Sequence, residues 1–178
     1  MPRKLKNSEL VRKTDQEFKA SDKTPLILIL DNIRSLNNIG SVFRTADAFL
    51  IQKMYLCGIT ATPPHKDIQK TALGASQTVD WAYRESTLDL IEGLKAEHVQ
   101  IMAIEQAEHS VNLSQFKPEP NITYAFVFGN EVKGVQQAVV DASDAVLEIP
   151  QLGTKHSLNI SVTAGVCIWD FMSKTQFS

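Results

Sequence analysis

Three short stretches of this chain hold polar side chains and glycines at spacings that could build a reaction centre. The first is Asn38-x-Gly40-x-x-x-Arg44, the second Gly129-x-Glu131-x-x-Gly134, and the third Ile149-Pro150 followed by Ser157-Leu158-Asn159. Glycines let a ligand approach the backbone and expose N–H groups to it. An arginine is a permanent cation with a planar fork suited to phosphate or to a developing oxyanion. A glutamate, a serine and asparagines add acceptors and donors that can orient a nucleophile. Each stretch also has a plain reading. Asn37 and Asn38 can cap a helix, Arg44 can be a surface arginine, and Ser157 can be the N-cap of the last helix.

The elements that must position these residues follow from the hydrophobic pattern. Leu26-Ile-Leu-Ile-Leu30 is a continuous apolar run ending in Asp31-Asn32, the mark of a strand covered on both faces. Ile39, Val42, Phe43, Ala46, Phe49 and Leu50 then recur at helical spacing, with Ser41, Arg44 and Ala48 opposite. Further strands are expected over Met54–Ile59, Val99–Ile104, Tyr124–Phe128 and Ala145–Ile149. Helices are expected over 7–20, 88–96 and 135–142. Alternating strands and helices of this length predict an α/β domain with a mainly parallel sheet. In such a sheet ligands bind at the carboxyl ends of the strands, where all three stretches fall. The segment from Leu158 to Ile168 alternates like a strand yet is apolar nearly all round, so a buried helix fits equally well.

Composition narrows the class. The chain has 178 residues, of which 43% are hydrophobic and 21% charged, enough for one domain with a real core. No signal-peptide pattern and no apolar run long enough to cross a bilayer is found, which points to a soluble, cytoplasmic protein. Cys57 and Cys167 stand alone in apolar contexts and read as core thiols. His65, His98 and His109 show no ligand spacing, and no metal is expected. The net charge of −2 is unevenly spread: residues 1–25 hold seven Lys/Arg against four acids. Arg3, Lys4, Lys6, Arg12 and Lys13 could meet phosphates or could simply form a solvated basic helix.

Taken together and in this order, the three stretches resemble the SpoU/TrmH family of the SPOUT methyltransferases. The matching residues are Asn38-x-Gly40-x-x-x-Arg44-Thr45, Gly129-x-Glu131-x-x-Gly134, and Ile149-Pro150 with Ser157-Leu158-Asn159-Ile160-Ser161; Lys70–Ala75 is similar as well. The resemblance spans about residues 25 to 172. It implies an α/β sheet whose C-terminal segment forms a deep trefoil knot, with residues 1–25 as a basic N-terminal extension and 26–178 as the methyltransferase domain. It makes the segment after Ser157 a buried helix.

The same resemblance implies S-adenosylmethionine as cofactor, with Gly129, Gly134, Ile149 and Leu158 lining its site, and an RNA ribose 2′-hydroxyl as acceptor. tRNA is slightly favoured over rRNA. Arg44 would serve as base or as phosphate and alkoxide clamp, and the clamp is favoured because a guanidinium stays protonated. Asn38 would orient Arg44 or the ribose, and Glu131, Ser157 and Asn159 would hold the site by hydrogen bonds. A homodimer through the last helix is implied, and Trp169 and Phe171 are expected at its surface. Many relatives carry an N-terminal RNA-binding domain; here RNA capture would fall to the dimer surface, the basic N-terminus and the loop Pro63–Lys66.

Two other readings compete. A Rossmann-type oxidoreductase needs Gly-x-Gly-x-x-Gly after the first strand, and Leu30 to Gly40 lacks it. A catalytically inactive RNA-binding module of the same fold would not need Asn38, Arg44, Glu131, Ser157 and Asn159 together.

Overall fold

A computed structural model describes residues 1–177. Its frame is a seven-stranded sheet in the order β3-β2-β1-β6-β4-β7-β5. The strands are β1 (Thr24–Asp31), β2 (Ile51–Cys57), β3 (Trp81–Arg84), β4 (Gln100–Ile104), β5 (Val111–Asn112), β6 (Tyr124–Phe128) and β7 (Ala145–Glu148). All the strand pairings are parallel. The expected α/β class with a mainly parallel sheet is therefore found.

The apolar run of β1 is continuous because it faces two cores. Leu26, Leu28 and Leu30 enter one, while Ile27 and Ile29 enter the other. The first core is closed by α2 (Leu36–Ala48) through Ile39, Val42 and Phe43, and by α7 (Ile160–Thr175) through Cys167, Ile168 and Phe171. The second is closed by α5 (Thr87–Ala96) through Leu90, Ile91 and Leu94, and by α6 (Gln137–Ala142) through Val139. Fully burying one such side chain is worth about 1.5–3 kcal/mol, so these two layers carry the fold. The two cysteines are core thiols on opposite faces of the sheet. Burial pushes both thiols up to about 12, which leaves them unreactive at neutral pH.

α2 crosses closely over α3 (Lys66–Ala72) because Gly40 has no side chain there. A Cβ at Gly40 would run into the Ile68 carbonyl and the Thr71 hydroxyl. The expected close approach at Gly40 is thus explained. Beyond α3, Leu73 and Gly74 take left-handed conformations (φ +50° and +94°) and start the short α4 (Ala75–Thr78).

Several expectations are corrected. The helix expected over 7–20 is a 3-10 turn at Asn7–Glu9 and a separate α1 (Asp15–Ala20). The break occurs because Thr14 opens α1 with a capping box to Glu17, and only Phe18 of that stretch reaches the core. α2 ends at Ala48, with Leu50 at φ +51° outside it. β2 stops at Cys57, because Gly58 turns the chain at φ +61° and leaves Ile59 exposed. The ambiguous segment is helix α7, in which Phe171 is 1% exposed and, of the two residues expected at the surface, Trp169 alone reaches it. Phe171 fails as a surface residue because it turns onto Tyr124 and Phe126.

Candidate functional site

Four adjacent strands, β1, β6, β4 and β7, end side by side; the loops leaving β6, β4 and β7 line a cleft of about 710 Å³, and the loop leaving β1 braces them from beside it. That volume lies within the range of small-molecule sites. Each loop has a local reason for its shape.

The turn after β6 is closed on itself. Asn130 and Gly134 exchange backbone hydrogen bonds of 3.0 and 2.8 Å, and the Asn130 side-chain oxygen accepts from the Val132 and Lys133 N–H groups. Gly134 sits at φ +66°, a conformation costly for other residues. A Cβ on Gly129 would strike the backbone of Gly134 and Val135, and a Cβ on Gly134 would strike the Glu105 carboxylate. The turn is anchored to the end of β1 through Asn130 Nδ2, which donates to the Asn32 carbonyl at 2.7 Å.

This folding throws Glu131 against the turn that opens α2. Its carboxylate accepts from the Arg34 N–H at 3.0 Å, the Ser35 N–H at 2.9 Å and Asn38 Nδ2 at 3.3 Å. Partial burial works against the charge, but these donors outweigh it and hold the Glu131 carboxyl below the usual carboxylate range. Asn38 is not the cap of α2. Ser35 is, accepting from the Asn38 N–H at 3.3 Å, which leaves the Asn38 side chain free to face Glu131.

The third loop arrives from β7 and enters α7. Asn159 caps that helix, not Ser157: its Oδ1 accepts from the Ser161 N–H at 2.9 Å. Its Nδ2 donates to Asn38 Oδ1 at 3.1 Å. The direction of every bond in this chain is fixed from its ends. Glu131 can only accept and the Ser161 N–H can only donate, so neither amide can be turned over without losing a partner.

Gly129, Gly134, Ile149 and Leu158 all line the cleft, as do Glu131, Ser157 and Asn159. Ser157 is exposed, and its hydroxyl makes no hydrogen bond among the described residues. His156 lines the cleft too, and its carbonyl accepts from Gln106 Nε2 at 2.7 Å. Arg44 is not brought to the cleft. It stands six residues beyond Asn38, about 9 Å along α2 and roughly a third of a turn round it. It is exposed and has no ion pair or hydrogen bond among the described residues.

Two cleft residues escaped the reading of the sequence. Glu105, the first residue after β4, accepts from the Gln106 N–H at 2.8 Å and the Val135 N–H at 2.8 Å. Asn130 is the other. Its place in a Gly-Asn-Glu turn is a signal for this kind of side-chain-to-backbone closure. The rule that drew attention to the loops after β1, β6 and β7 applied equally to β4.

Elsewhere, His65 caps α3 through its Nδ1, which accepts from the Asp67 N–H. No group of three or more His, Cys, Asp or Glu side chains able to hold a metal lies among the described residues. No helix among them is long and apolar enough to cross a membrane.

Residues 25–169 match the model of the SpoU rRNA methylase family. Over 162 residues the chain is 27% identical to a 23S rRNA (guanosine-2′-O-)-methyltransferase of Bordetella pertussis, covering 91% of this chain and 65% of that one. It is 31% identical over 149 residues to a 23S rRNA (guanosine-2′-O-)-methyltransferase of Neisseria meningitidis serogroup B, covering 81% and 56%. The chain thus spans between about half and two thirds of these relatives. The AdoMet-bound rRNA methyltransferase from Sinorhizobium meliloti superposes with a TM-score of 0.79 at 26% identity, covering 85% of this chain and 57% of that one.

Proposed function

The chain belongs to the SpoU rRNA methylase family, and on that premise we propose that it is an S-adenosylmethionine-dependent methyltransferase acting on a ribose 2′-hydroxyl of RNA. The observation that carries the reading is the Glu131–Asn38–Asn159 chain of hydrogen bonds at the mouth of the cleft. It ties together the three stretches that the family resemblance rests on.

The cleft fits the cofactor by its shape and its donors. Gly129 and Gly134 leave bare backbone where a side chain would overlap its neighbours, and Ile149 and Leu158 add apolar wall. Bound there, S-adenosylmethionine supplies an electrophilic methyl group on a sulfonium. The chain's own residues do the rest. Asn38, held from both sides, keeps one amide hydrogen to orient the incoming ribose. Glu131 has its charge committed to the Arg34 and Ser35 N–H groups, which suits an orienting residue better than a base. Arg44 keeps its five donors unpaired and is suited to clamp an RNA phosphate and the developing alkoxide. The trefoil knot belongs to the same reading. Its support is the course of residues 149–159, which leave β7, meet Gln106 beside β4 and reach Asn38 beside β1 before α7 begins.

A homodimer completes the proposal. Val162, Val166 and Trp169 are 51%, 38% and 55% exposed and recur at i, i+4 and i+7, one apolar stripe on α7. Phe49 and Phe177 extend it against Trp169. RNA capture is assigned to the basic residues of 1–13, in a cytoplasmic setting. Deleting residues 1–13 should weaken RNA binding and flatten its salt dependence, with cofactor affinity unchanged.

The two relatives compared above carry ribosomal-RNA names, so ribosomal RNA comes first among substrates and tRNA second. The test is methylation of both RNAs from cells lacking this protein, with 2′-O-methyl sites mapped by mass spectrometry. One new 2′-O-methyl nucleotide is expected. Cofactor and RNA binding without any methylation would instead make the chain an inactive RNA-binding module.

A further inference from the structure

We infer that Glu105 is a binding residue for the ribose diol of the nucleoside part of the cofactor; this rests on the proposal that the cleft holds S-adenosylmethionine. Glu105 is half-buried in the wall of the cleft. One carboxylate oxygen accepts from the Gln106 N–H and the other from the Val135 N–H, each at 2.8 Å. A carboxylate has about four acceptor positions, so each oxygen keeps one lone pair. Among the described residues no Lys or Arg pairs with it and no other donor reaches it. A rigidly held carboxylate in a cleft, with one free acceptor on each oxygen, is matched to two neighbouring hydroxyl donors. A vicinal diol presents that pair.

The position supports the same assignment. β4 lies parallel to β6, with Ile104 opposite Phe128, so Glu105 follows β4 where Gly129 follows β6. Adjacent strands are about 4.8 Å apart, and the Glu105 carboxylate lies directly against Gly134. In α/β sheets that bind nucleotide cofactors, a glycine turn takes the backbone approach while an acidic residue nearby takes the ribose hydroxyl. Here that juxtaposition occurs between β6 and β4 rather than after the first strand, where the Rossmann pattern is missing.

The test is calorimetric titration of the wild type and Glu105→Gln with S-adenosylhomocysteine, its 2′-deoxy and 3′-deoxy analogues, and 5′-methylthioadenosine. The wild type is expected to bind at least one deoxy analogue tenfold or more weakly than the parent, as for loss of a hydrogen bond to a charged group. In Glu105→Gln the parent should fall by a similar factor, and the ratio of parent to that deoxy analogue should shrink to within about twofold. 5′-Methylthioadenosine should weaken alongside the parent. A wild type indifferent to both deoxy changes overturns the inference, as does a full ratio retained in Glu105→Gln, which would leave Glu105 only holding the glycine turn. Weakening of the parent but not of 5′-methylthioadenosine also overturns it, placing the carboxylate at the amino-acid end. Should Glu105→Gln lose its melting transition, Glu105→Asp carries the same ratio test. A wild type that binds none of the four defeats the cofactor proposal itself, an outcome distinct from all the others.

Discussion

Asn159 donates a hydrogen bond of 3.1 Å to the side-chain oxygen of Asn38 across 121 residues of chain. Because Asn38 donates in turn to Glu131, the cap of the last helix and the turn after β6 share one polar chain. Each link constrains the next, so changes along it should act together. A double substitution Asn38→Ala with Asn159→Ala should therefore cost less in activity than the two single losses added. A strictly additive result in single-turnover methylation would dissolve the network.

Glu131 makes the network sensitive to acid. Its folded-state carboxyl lies below the unfolded one, so its contribution is full above the ordinary glutamate range, about pH 4.3, and disappears as pH falls through the lowered value. At pH 7 Glu131→Gln should lose about 1 kcal/mol, modest because the group is exposed to solvent, or roughly 2–4 °C in melting temperature. The gap between wild type and variant should close on going from pH 6 to pH 3. Melting curves across that range that run parallel would refute this.

Asp31 should behave in the opposite sense. It is 1% exposed, and its Oδ2 has no partner among the described residues, while Oδ1 accepts from Thr87 Oγ1 and Asn32 Nδ2. Burial pushes its carboxyl up, against those two hydrogen bonds. With the folded value raised, the native state holds the proton longer than the unfolded chain, and stability declines as pH rises from about 4. Asp31→Asn removes the ionisation. Its melting temperature relative to wild type should climb with pH from 4 to 8, and a constant difference would count against this account.

Arg44 separates two readings by rate. As a surface arginine, its replacement by alanine should change stability by less than about 0.5 kcal/mol and leave turnover alone. As the clamp, the same change should slow methyl transfer about a hundredfold or more, with melting temperature and cofactor affinity kept. Arg44→Lys should also be impaired, because lysine lacks the planar fork. Near-normal single-turnover methylation by Arg44→Ala would remove the clamp.

Trp169→Glu places a charge in the exposed stripe of α7. Light scattering should then report a 19.8 kDa particle where the wild type scatters as twice that mass. A wild type already monomeric at micromolar concentration would end the dimer proposal.

What the residues disclosed before the fold was known has a physical pattern. β1 and β6 were legible because every one of their apolar residues is buried on one face or the other, which writes an unbroken run. β3 and β5 were not: Trp81–Arg84 is half-exposed at an edge and Val111–Asn112 is only two residues long. α3 and α4 together bury only Ile68, Ala72 and Ala75, too few to set a period. The cleft-lining glycines could be found, since their types alone mark a turn. Glu105 and Asn130 could not be ranked above other polar residues, because their partners are backbone groups, two of them supplied by distant segments. Arg44 was legible as part of a motif, but its neighbours along α2 do not say what it meets.

The strand order has a consequence for the chain while it is being made. β1 lies between β2 and β6, yet β6 is synthesised more than ninety residues after β1. At translation speeds of about 5–20 residues per second, one edge of this apolar strand waits roughly 5–20 s for its partner. During that interval β2 pairs its other edge, and α2 and then α5 can cover its faces, but the edge that β6 will take stays open. Growing chains of this protein should therefore be clients of the factors that guard exposed strands at the ribosome exit. Slowing translation between Cys57 and Tyr124 should deepen that dependence.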